Sequence, residues 1–321
     1  MDLLPTIRRA GDAAGTLTEA GARLLDPSGT LRAGAPVCPP EGDAGTGMVA
    51  TNSVAPRTGN VSAGTSIFAM VVLEHELSRV HHQLDLVTTP AGDLVAMVHC
   101  NNGASEINAW VGLFAEFAAA VGVDIDSSTV FDVLFRSALD GAPDGGGLLA
   151  FNYLAGEPIT GLPEGRPLFL RTPGSTLDLA TFIRTQLYAA FATLRIGMDV
   201  LTKDEKVRLD SMFAHGGLFT TKGVAQRFLA AAIDTHVAVG ATAAEGGAWG
   251  IAVLAAFLSH RAPGQPLADY LSTRVFVDAE LDEITPTPAD VAGFDAFLLR
   301  YIQALPVQRA AVDHTRKAAV P

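Results

Sequence analysis

Residues 41–48 read EGDAGTGM, and residues 62–66 read SAGTS. In the first stretch Asp43 stands among residues that are too small to bury its carboxylate, so that the carboxylate can reach a substrate. A carboxylate within hydrogen-bond range of a hydroxyl can accept its proton while the oxygen attacks a phosphoryl group. The same stretch also suits a surface Asx turn, and taken by itself it favours that structural interpretation.

The SAGTS stretch lies between two runs of β-branched and apolar residues, which predicts a unit of strand, tight turn and strand. Glycine in such a turn allows successive N–H groups to converge into a nest that binds anionic oxygens. Gly64, with the hydroxyls of Thr65 and Ser66, is therefore a candidate site for a β- or γ-phosphate. An ordinary hairpin turn explains the same residues and is the simpler alternative for this stretch alone.

A third glycine-rich segment, HGGLFTT at residues 215–221, precedes a predicted helix that carries Gln226. EGGAWG at residues 245–250 opens the next predicted helix. Glycines at a turn before a helix let a flat ring and its ribose lie against the backbone. The alternative is glycine used for close helix packing, which accounts well for Gly250.

The spacing of apolar residues predicts an α/β fold. Large apolar residues at helical spacing predict amphipathic helices over 106–121 and 179–198. A short apolar run at 95–99 predicts a third strand. Alternating strands and helices indicate a sheet packed by helices. The other predicted elements are a charged helix after Leu201, a helix at 224–233, a strand near 236–239, and helices at 250–259 and 288–305.

Composition excludes several classes of protein. The chain has 321 residues, 49% of them hydrophobic, and a formal net charge of −12, which argues against a nucleic-acid or anionic-membrane binder. A phosphorylated ligand must then be held locally, by backbone amides and a metal ion. Cys38 and Cys100 form no CxxC pair, and no apolar run reaches the ~18 residues of a membrane span. A cytoplasmic protein without a membrane span is expected.

The chain resembles the FGGY carbohydrate kinases from the middle of their sequence to its end, because six features follow one another in the family's order. These are Gly42-Asp43, SAGTS at 62–66, Gly103 with Trp110, NYLAGE at 152–157, Gly216-Gly217 with Gln226, and EGGAWG at 245–250. The resemblance implies the actin-like ATPase and sugar-kinase fold, a ribonuclease H-like lobe with a mixed sheet packed by helices. Residues 1–40 are then a loop-rich lead-in and residues 41–321 the C-terminal nucleotide-binding domain, and the family's N-terminal lobe has no counterpart.

By resemblance, Asp43 is the catalytic base that deprotonates a sugar hydroxyl. Gly64, Thr65 and Ser66 correspond to a phosphate-binding turn. Nucleotide contacts are expected at Gly103, Asn108, Gly216, Gly217, Thr221 and Gln226. No protein metal ligand is predicted. One departure is Pro158, which stands where the family often has an arginine after the glutamate of NYLAGE.

The implied reaction is transfer of the ATP γ-phosphate, with Mg²⁺, to a pentulose or other ketose, as in the xylulokinase-like branch of the family. Because such catalysis needs two lobes to close and exclude water, we expect the chain alone to have little or no kinase activity. The expected partners are the missing N-terminal lobe and a possible second copy in a homodimer. The alternative is a non-catalytic nucleotide-binding or interaction protein that keeps the fold.

A group of histidines and glutamates at residues 74–82 could suggest a metal cluster. Its histidines are His75, His81 and His82. Their spacing fits no helix-face pair and no zinc pattern, so a solvated loop is predicted.

Overall fold

The computed structural model describes residues 6–240 and 246–315. Its strands are β1 (Gly15–Thr16), β2 (Pro36–Val37), β3 (Thr58–Ala63), β4 (Ile67–Val72), β5 (Asp85–Thr88), β6 (Leu94–Cys100), β7 (Leu149–Phe151), β8 (Leu168–Leu170), β9 (Ser211–His215), β10 (Val237–Gly240) and β11 (Leu281–Ile284). Its α-helices are α1 (Glu19–Leu25), α2 (Asp43–Ala50), α3 (Ser105–Ala120), α4 (Ser127–Ser137), α5 (Leu179–Asp199), α6 (Val224–Ile233), α7 (Gly246–His260), α8 (Leu267–Tyr270) and α9 (Pro288–His314).

A mixed sheet of seven strands forms the centre of the described chain, in the order β11-β10-β9-β3-β4-β6-β5. β3 and β4 form the predicted antiparallel hairpin, and β6 is the predicted third strand. β9 runs parallel to β3, with Ser62 opposite His215, and β10 runs parallel to β9. The carboxyl ends of β3, β9 and β10 therefore meet at one edge of the sheet. The predicted mixed α/β sheet is confirmed.

The two faces of the sheet carry separate hydrophobic cores because side chains alternate along each strand. On β4, Ala69 and Val71 belong to the larger core, which α3, α4, α5, α6 and α9 cover. Met70 and Val72 point the other way, into a smaller core with α2, α7 and α8. Helix α5 is buried along almost its whole length, and its buried residues include polar side chains such as Thr185 and Gln186.

Helices α2 and α7 pack unusually closely in the smaller core. A Cβ built on Gly250 would overlap the carbonyl oxygen of Thr46, so only glycine allows the two backbones to approach. The close-packing interpretation of Gly250 is confirmed. The start of EGGAWG, Glu245, lies outside the described residues.

The charged helix predicted after Leu201 is wrong. A π turn, Val200–Asp204, ends α5, and the chain then extends into strand β9. Residues 211–215 form a strand because they pair in parallel with β3. This pairing outweighs the weak helix preference of the charged residues that precede the strand. The last helix is longer than predicted, since α9 continues through Pro306 to His314.

The solvated loop predicted for the histidine group is also wrong at His81. His81 is buried and contacts the buried carboxylate of Glu205. The backbone N–H and hydroxyl of Ser78 donate to the same carboxylate, each at 2.7 Å. These donors, of which His81 has the largest effect, lower the pKa of Glu205 to about 2. The contact fastens the loop between β4 and β5 to the end of α5.

The lead-in contains more regular structure than predicted, since β1, α1 and β2 lie within it. Ala10 donates its N–H to the carbonyl of Pro90 at 2.7 Å, and Arg261 donates to the carbonyl of Gly11 at 2.9 Å. The domain boundary at residue 40 stays a prediction. Among the described helices, none is both long and apolar enough to cross a membrane.

The α2–α7 contact yields a stability prediction. We expect Gly250→Ala to destabilise the protein by about 1–3 kcal/mol, because the added methyl forces the two backbones apart. Gly112→Ala is the matched control, because it also lies in a helix but a Cβ there meets nothing within 4 Å. That variant should gain up to about 1 kcal/mol of helix propensity. Urea unfolding measures both, and equal stabilities of the two variants would contradict the packing argument.

Candidate functional site

A cavity of about 580 Å³ opens at the carboxyl ends of β3, β9 and β10. We call it the Asp43 cavity. The described residues that matter for its chemistry are Asp43, Gly47, Ser62, Phe68, His215, Gly216 and Gly217. Asp43 and the Gly216-Gly217 turn, which lie far apart in the sequence, therefore face one space.

Asp43 occupies the first position of α2, with Gly42 as the N-terminal cap residue. Its carboxylate is exposed, and Oδ1 accepts a hydrogen bond from the N–H of Ala44 at 2.9 Å. The positive end of the helix dipole lies beside it, which suits an anionic group at this position. The carboxylate is therefore held at the cavity wall and remains open to a ligand.

Three of the glycines expected at the site take part in close backbone contacts between neighbouring turns. A Cβ on Gly216 would overlap the carbonyl of Ala63, and the φ angle of Gly216 is +108°, a value that favours glycine. A Cβ on Gly103 would overlap the carbonyl of Gly64. Gly103 also donates its N–H to the carbonyl of Thr65 at 2.8 Å. The turns around residues 64, 103 and 216 are thus packed into one cluster.

The candidate phosphate turn lies at the border of the Asp43 cavity. Ser62 and Phe68, on either side of the turn, line the cavity, whereas Gly64, Thr65 and Ser66 are not among its described lining residues. The N–H of Gly64 already donates to the carbonyl of Ser66 at 2.9 Å. Gly64 therefore shapes the turn with its own amide, and Thr65 is the exposed residue at its tip.

A second cavity, of about 600 Å³, lies between α3, α4 and the segment that precedes α6. We call it the α3–α4 cavity. It brings together three predicted nucleotide contacts, Asn108, Gly217 and Thr221. Gly217 and Thr220 line this cavity and the Asp43 cavity as well, so the two spaces are neighbours across one turn. An elongated ligand can therefore lie across Gly217 with one end in each.

The walls of the α3–α4 cavity combine apolar and polar groups. Val111 and Phe131 offer apolar surface, and Gly112 leaves room on α3. Asp132 lies on the α4 wall, where hydrogen bonds from Arg136 and then the Thr221 hydroxyl lower its pKa. A flat apolar ring with polar edges suits such a lining.

Gln226 lies apart from both cavities. Its side chain is buried, and its amide nitrogen donates to the carbonyls of Val237, at 2.9 Å, and Asp282, at 2.7 Å. These bonds connect α6 to β10 and β11. In this structure Gln226 therefore supports the sheet edge, and it has no direct access to either cavity.

The NYLAGE motif at 152–157, to which the resemblance assigns no site residue, supports the loop that ends in Gly103. Asn152 donates its side-chain amide to the carbonyls of Asn102 and Gly103, both at 3.0 Å. The carboxylate of Glu157 accepts from the N–H of Asn101 and the side-chain amide of Asn102, both at 3.0 Å. These buried bonds hold the loop against the phosphate turn. In the sequence these bonds were indicated only by a polar motif beside a strand. Nothing near the motif showed that its partner is the loop at 101–103.

Glu157 is completely buried, and its Oε1 atom has no hydrogen-bond partner among the described residues. Pro158 follows it, so the next residue along the chain offers no cation. Burial raises the pKa of Glu157, although the hydrogen bonds from Asn102 and Asn101 oppose the shift. The supporting carboxylate therefore retains a proton more readily than a solvated glutamate does.

The described residues form no group of three histidine, cysteine, aspartate or glutamate side chains that could hold a metal ion. Asp43 is the carboxylate among the described residues that line the Asp43 cavity. Mg²⁺ characteristically keeps several waters and binds through one or two carboxylates together with substrate phosphates. The donor set of the described residues fits a magnesium ion that is held mainly by phosphates, and it does not form a protein cage for the ion.

A mixed sheet whose parallel strand ends meet glycine turns, with a carboxylate facing them across a cavity, defines a lobe of the actin-like ATPase and sugar-kinase fold. A family model described as "FGGY family of carbohydrate kinases, C-terminal domain" matches residues 59–259. The match spans more than half of the chain. The chain therefore belongs to the FGGY family of carbohydrate kinases.

Solved structures agree with this fold. The xylulose kinase from Rhodospirillum rubrum has a TM-score of 0.76 and 19% identity, covering 97% of this chain and 58% of its own. The xyloylose kinase from Brucella ovis has a TM-score of 0.73 and 19% identity, and the match covers 95% of this chain and 58% of that kinase. The gluconate kinase from Lactobacillus acidophilus has a TM-score of 0.73 and 15% identity, and the match covers 96% of this chain and 57% of that kinase. The chain thus spans somewhat over half the length of these kinases. No curated protein sequence matched.

The buried Glu157 carboxyl yields a pH prediction. Because burial raises its pKa, the folded state holds a proton that the unfolded chain releases, and the associated stability is lost as pH rises through the folded pKa. Glu157→Gln keeps the shape and an acceptor oxygen but does not titrate. Its Tm relative to the wild type should therefore increase between about pH 5 and about pH 8.

Thermal unfolding across this pH range measures the effect of Glu157→Gln. Glu76→Gln, at an exposed glutamate, is the matched control for the exchange of a carboxylate for an amide. A Glu157→Gln difference that stays constant or shrinks as pH rises would contradict the prediction.

Proposed function

We propose that this chain forms the nucleotide-binding half of an ATP-dependent carbohydrate kinase. The observation that carries the proposal is the shared cavity in which the exposed carboxylate of Asp43 faces the Gly216-Gly217 turn. Family membership supports the same reaction class. In this proposal the adenosine lies in the α3–α4 cavity, and the phosphate chain crosses Gly217 toward Asp43.

The proposed chemistry is positional. Asp43 accepts the proton of a sugar hydroxyl as that oxygen bonds to the γ-phosphorus of ATP, while the bond from this phosphorus to the β–γ bridging oxygen breaks and ADP leaves. The turn at Thr65 and the turn at Gly217 orient the phosphates. A Mg²⁺ ion held by the nucleotide's own phosphates would supply charge neutralisation at their oxygens. Alignment and charge neutralisation are the main requirements of such a loose transition state.

We propose a pentulose or another ketose as the acceptor. The xylulose kinases among the structural neighbours support this choice, although a gluconate kinase and a glycerol kinase are neighbours as well. The acceptor class is tested by incubating a two-lobe preparation with ATP and a panel of ketoses, aldonates and polyols. Phosphorylation confined to aldonates or polyols would replace the ketose proposal.

Nucleotide binding is testable on residues 1–321. We expect ATP to raise the Tm of the wild type, since a ligand stabilises the state that binds it. Gly112→Phe should reduce the shift strongly, because Gly112 lines the α3–α4 cavity and the added ring would project into the space proposed for the adenine. Gly112→Ala is the matched small variant and should retain most of the shift. An unchanged wild-type Tm at millimolar ATP would refute the proposed function, including its non-catalytic nucleotide-binding alternative.

Catalysis gives a separate prediction. Because the chain spans 58% of the length of xylulose kinases, we expect residues 1–321 alone to show no sugar-dependent ATP turnover in a coupled assay. In a preparation that also supplies an N-terminal lobe, Asp43→Asn should lower turnover by about 100-fold or more while the ATP-induced Tm shift is kept. Turnover by the chain alone, or an active Asp43→Asn variant, would contradict the assigned roles.

A further inference from the structure

His215 is a side chain of the Asp43 cavity to which the family resemblance gives no role. It ends strand β9, and it lines the cavity together with Asp43. The ring lies beside Gly47 on α2, since a Cβ built there would be in van der Waals contact with Nε2 of His215, at 3.7 Å. The imidazole therefore lies between the helix that carries Asp43 and the turn formed by Gly216 and Gly217.

The ring of His215 has one engaged nitrogen and one unpaired nitrogen. Nε2 lies 3.4 Å from the amide nitrogen of Asn60, which is completely buried on β3. Nδ1 has no hydrogen-bond partner among the residues that the structure describes. With the Asn60 amide donating to Nε2, the neutral ring carries its proton on Nδ1.

Burial lowers the pKa of His215, so that the neutral ring prevails near neutral pH. The engaged Nε2 lone pair makes the ring a poor general base in this arrangement. Nδ1–H is instead an uncharged donor in a cavity whose described lining contains no lysine or arginine. An anionic oxygen is the natural partner of such a donor.

We propose that His215 donates a hydrogen bond from Nδ1–H to an oxygen of the terminal phosphoryl group of ATP, and that Asn60 is a positioning residue that selects this tautomer. The inference rests on the proposed function. In the proposed binding mode, the terminal phosphoryl group lies between the rest of the ATP molecule and Asp43. His215 lines the same part of the cavity. A neutral donor there orients the group without forming an ion pair with the Asp43 carboxylate.

Two substitutions of His215 distinguish the roles of its two ring nitrogens. His215→Asn places an amide nitrogen near the position of Nδ1, whereas His215→Gln places it near that of Nε2. Calorimetric titration of residues 1–321 with ATP and with ADP, in Mg²⁺, is the measurement. We expect His215→Ala and His215→Gln to weaken ATP binding about 10-fold or more, as loss of a charge-assisted bond predicts, and His215→Asn to restore much of it. ADP affinity should change less than 3-fold.

Nitrogen NMR of the wild-type imidazole provides a readout that does not depend on any variant folding. The free protein should show the Nδ1–H tautomer, and ATP but not ADP should shift the Nδ1 resonance. Asn60→Ala should yield a mixture of tautomers and weaker ATP binding. An Nε2–H tautomer in the wild type, or equal losses of ATP and ADP affinity in His215→Ala, would overturn the role of His215. Failure of the wild type to bind any nucleotide would instead refute the proposed function on which it rests.

Discussion

The close backbone contacts at the carboxyl ends of β3 and β9 are the constraint on which the candidate site depends. Gly216 lies against the carbonyl of Ala63, and Gly103 lies against the carbonyl of Gly64, so a side chain at either glycine would separate the turns. The parallel pairing of β3 with β9 brings these turns to the same edge of the sheet. The side-chain amide of Asn152, which donates to the third loop, and the carboxylate of Glu157, which accepts from it, then fix that loop. Dense packing thus sets where a ligand can lie.

The two cores of the molecule contribute different halves of the site. Asp43 comes from α2, which packs with α7 on the smaller core, whereas Asn108 and Thr221 come from elements over the larger core. The sheet separates these layers, and they meet only where its strands end. Gly217 and Thr220, which line both cavities, occupy that meeting point. A ligand that spans the two cavities therefore contacts both layers, and its binding couples their positions.

The sequence predicted elements whose side chains carry a strong pattern. Helix α5 and the β3–β4 hairpin were predicted because large apolar residues repeat along them. Helix α2 was not predicted, since it is short and its glycine, alanine and threonine residues leave little amphipathic signal. Strand β9 was not predicted because the charged residues before it favoured a helix. The burial of His81 was not predicted because it depends on Glu205, which is 124 residues away. The motif order placed the cavity residues near one another, but it could not reveal that Gln226 is engaged at the sheet edge.

The charge of the chain is consistent with the chemistry of its cavities. With a net charge of −12, the surface offers phosphate little general attraction, and neither cavity has a lysine or arginine among its described lining residues. Under the proposed function, phosphate affinity would come from backbone N–H groups, neutral donors such as His215, and a metal ion that arrives with the nucleotide. Such donors are effective only at fixed positions, because each is weak without preorganisation. In the proposed function, the glycine contacts that exclude side chains at the turns therefore serve binding as well as folding.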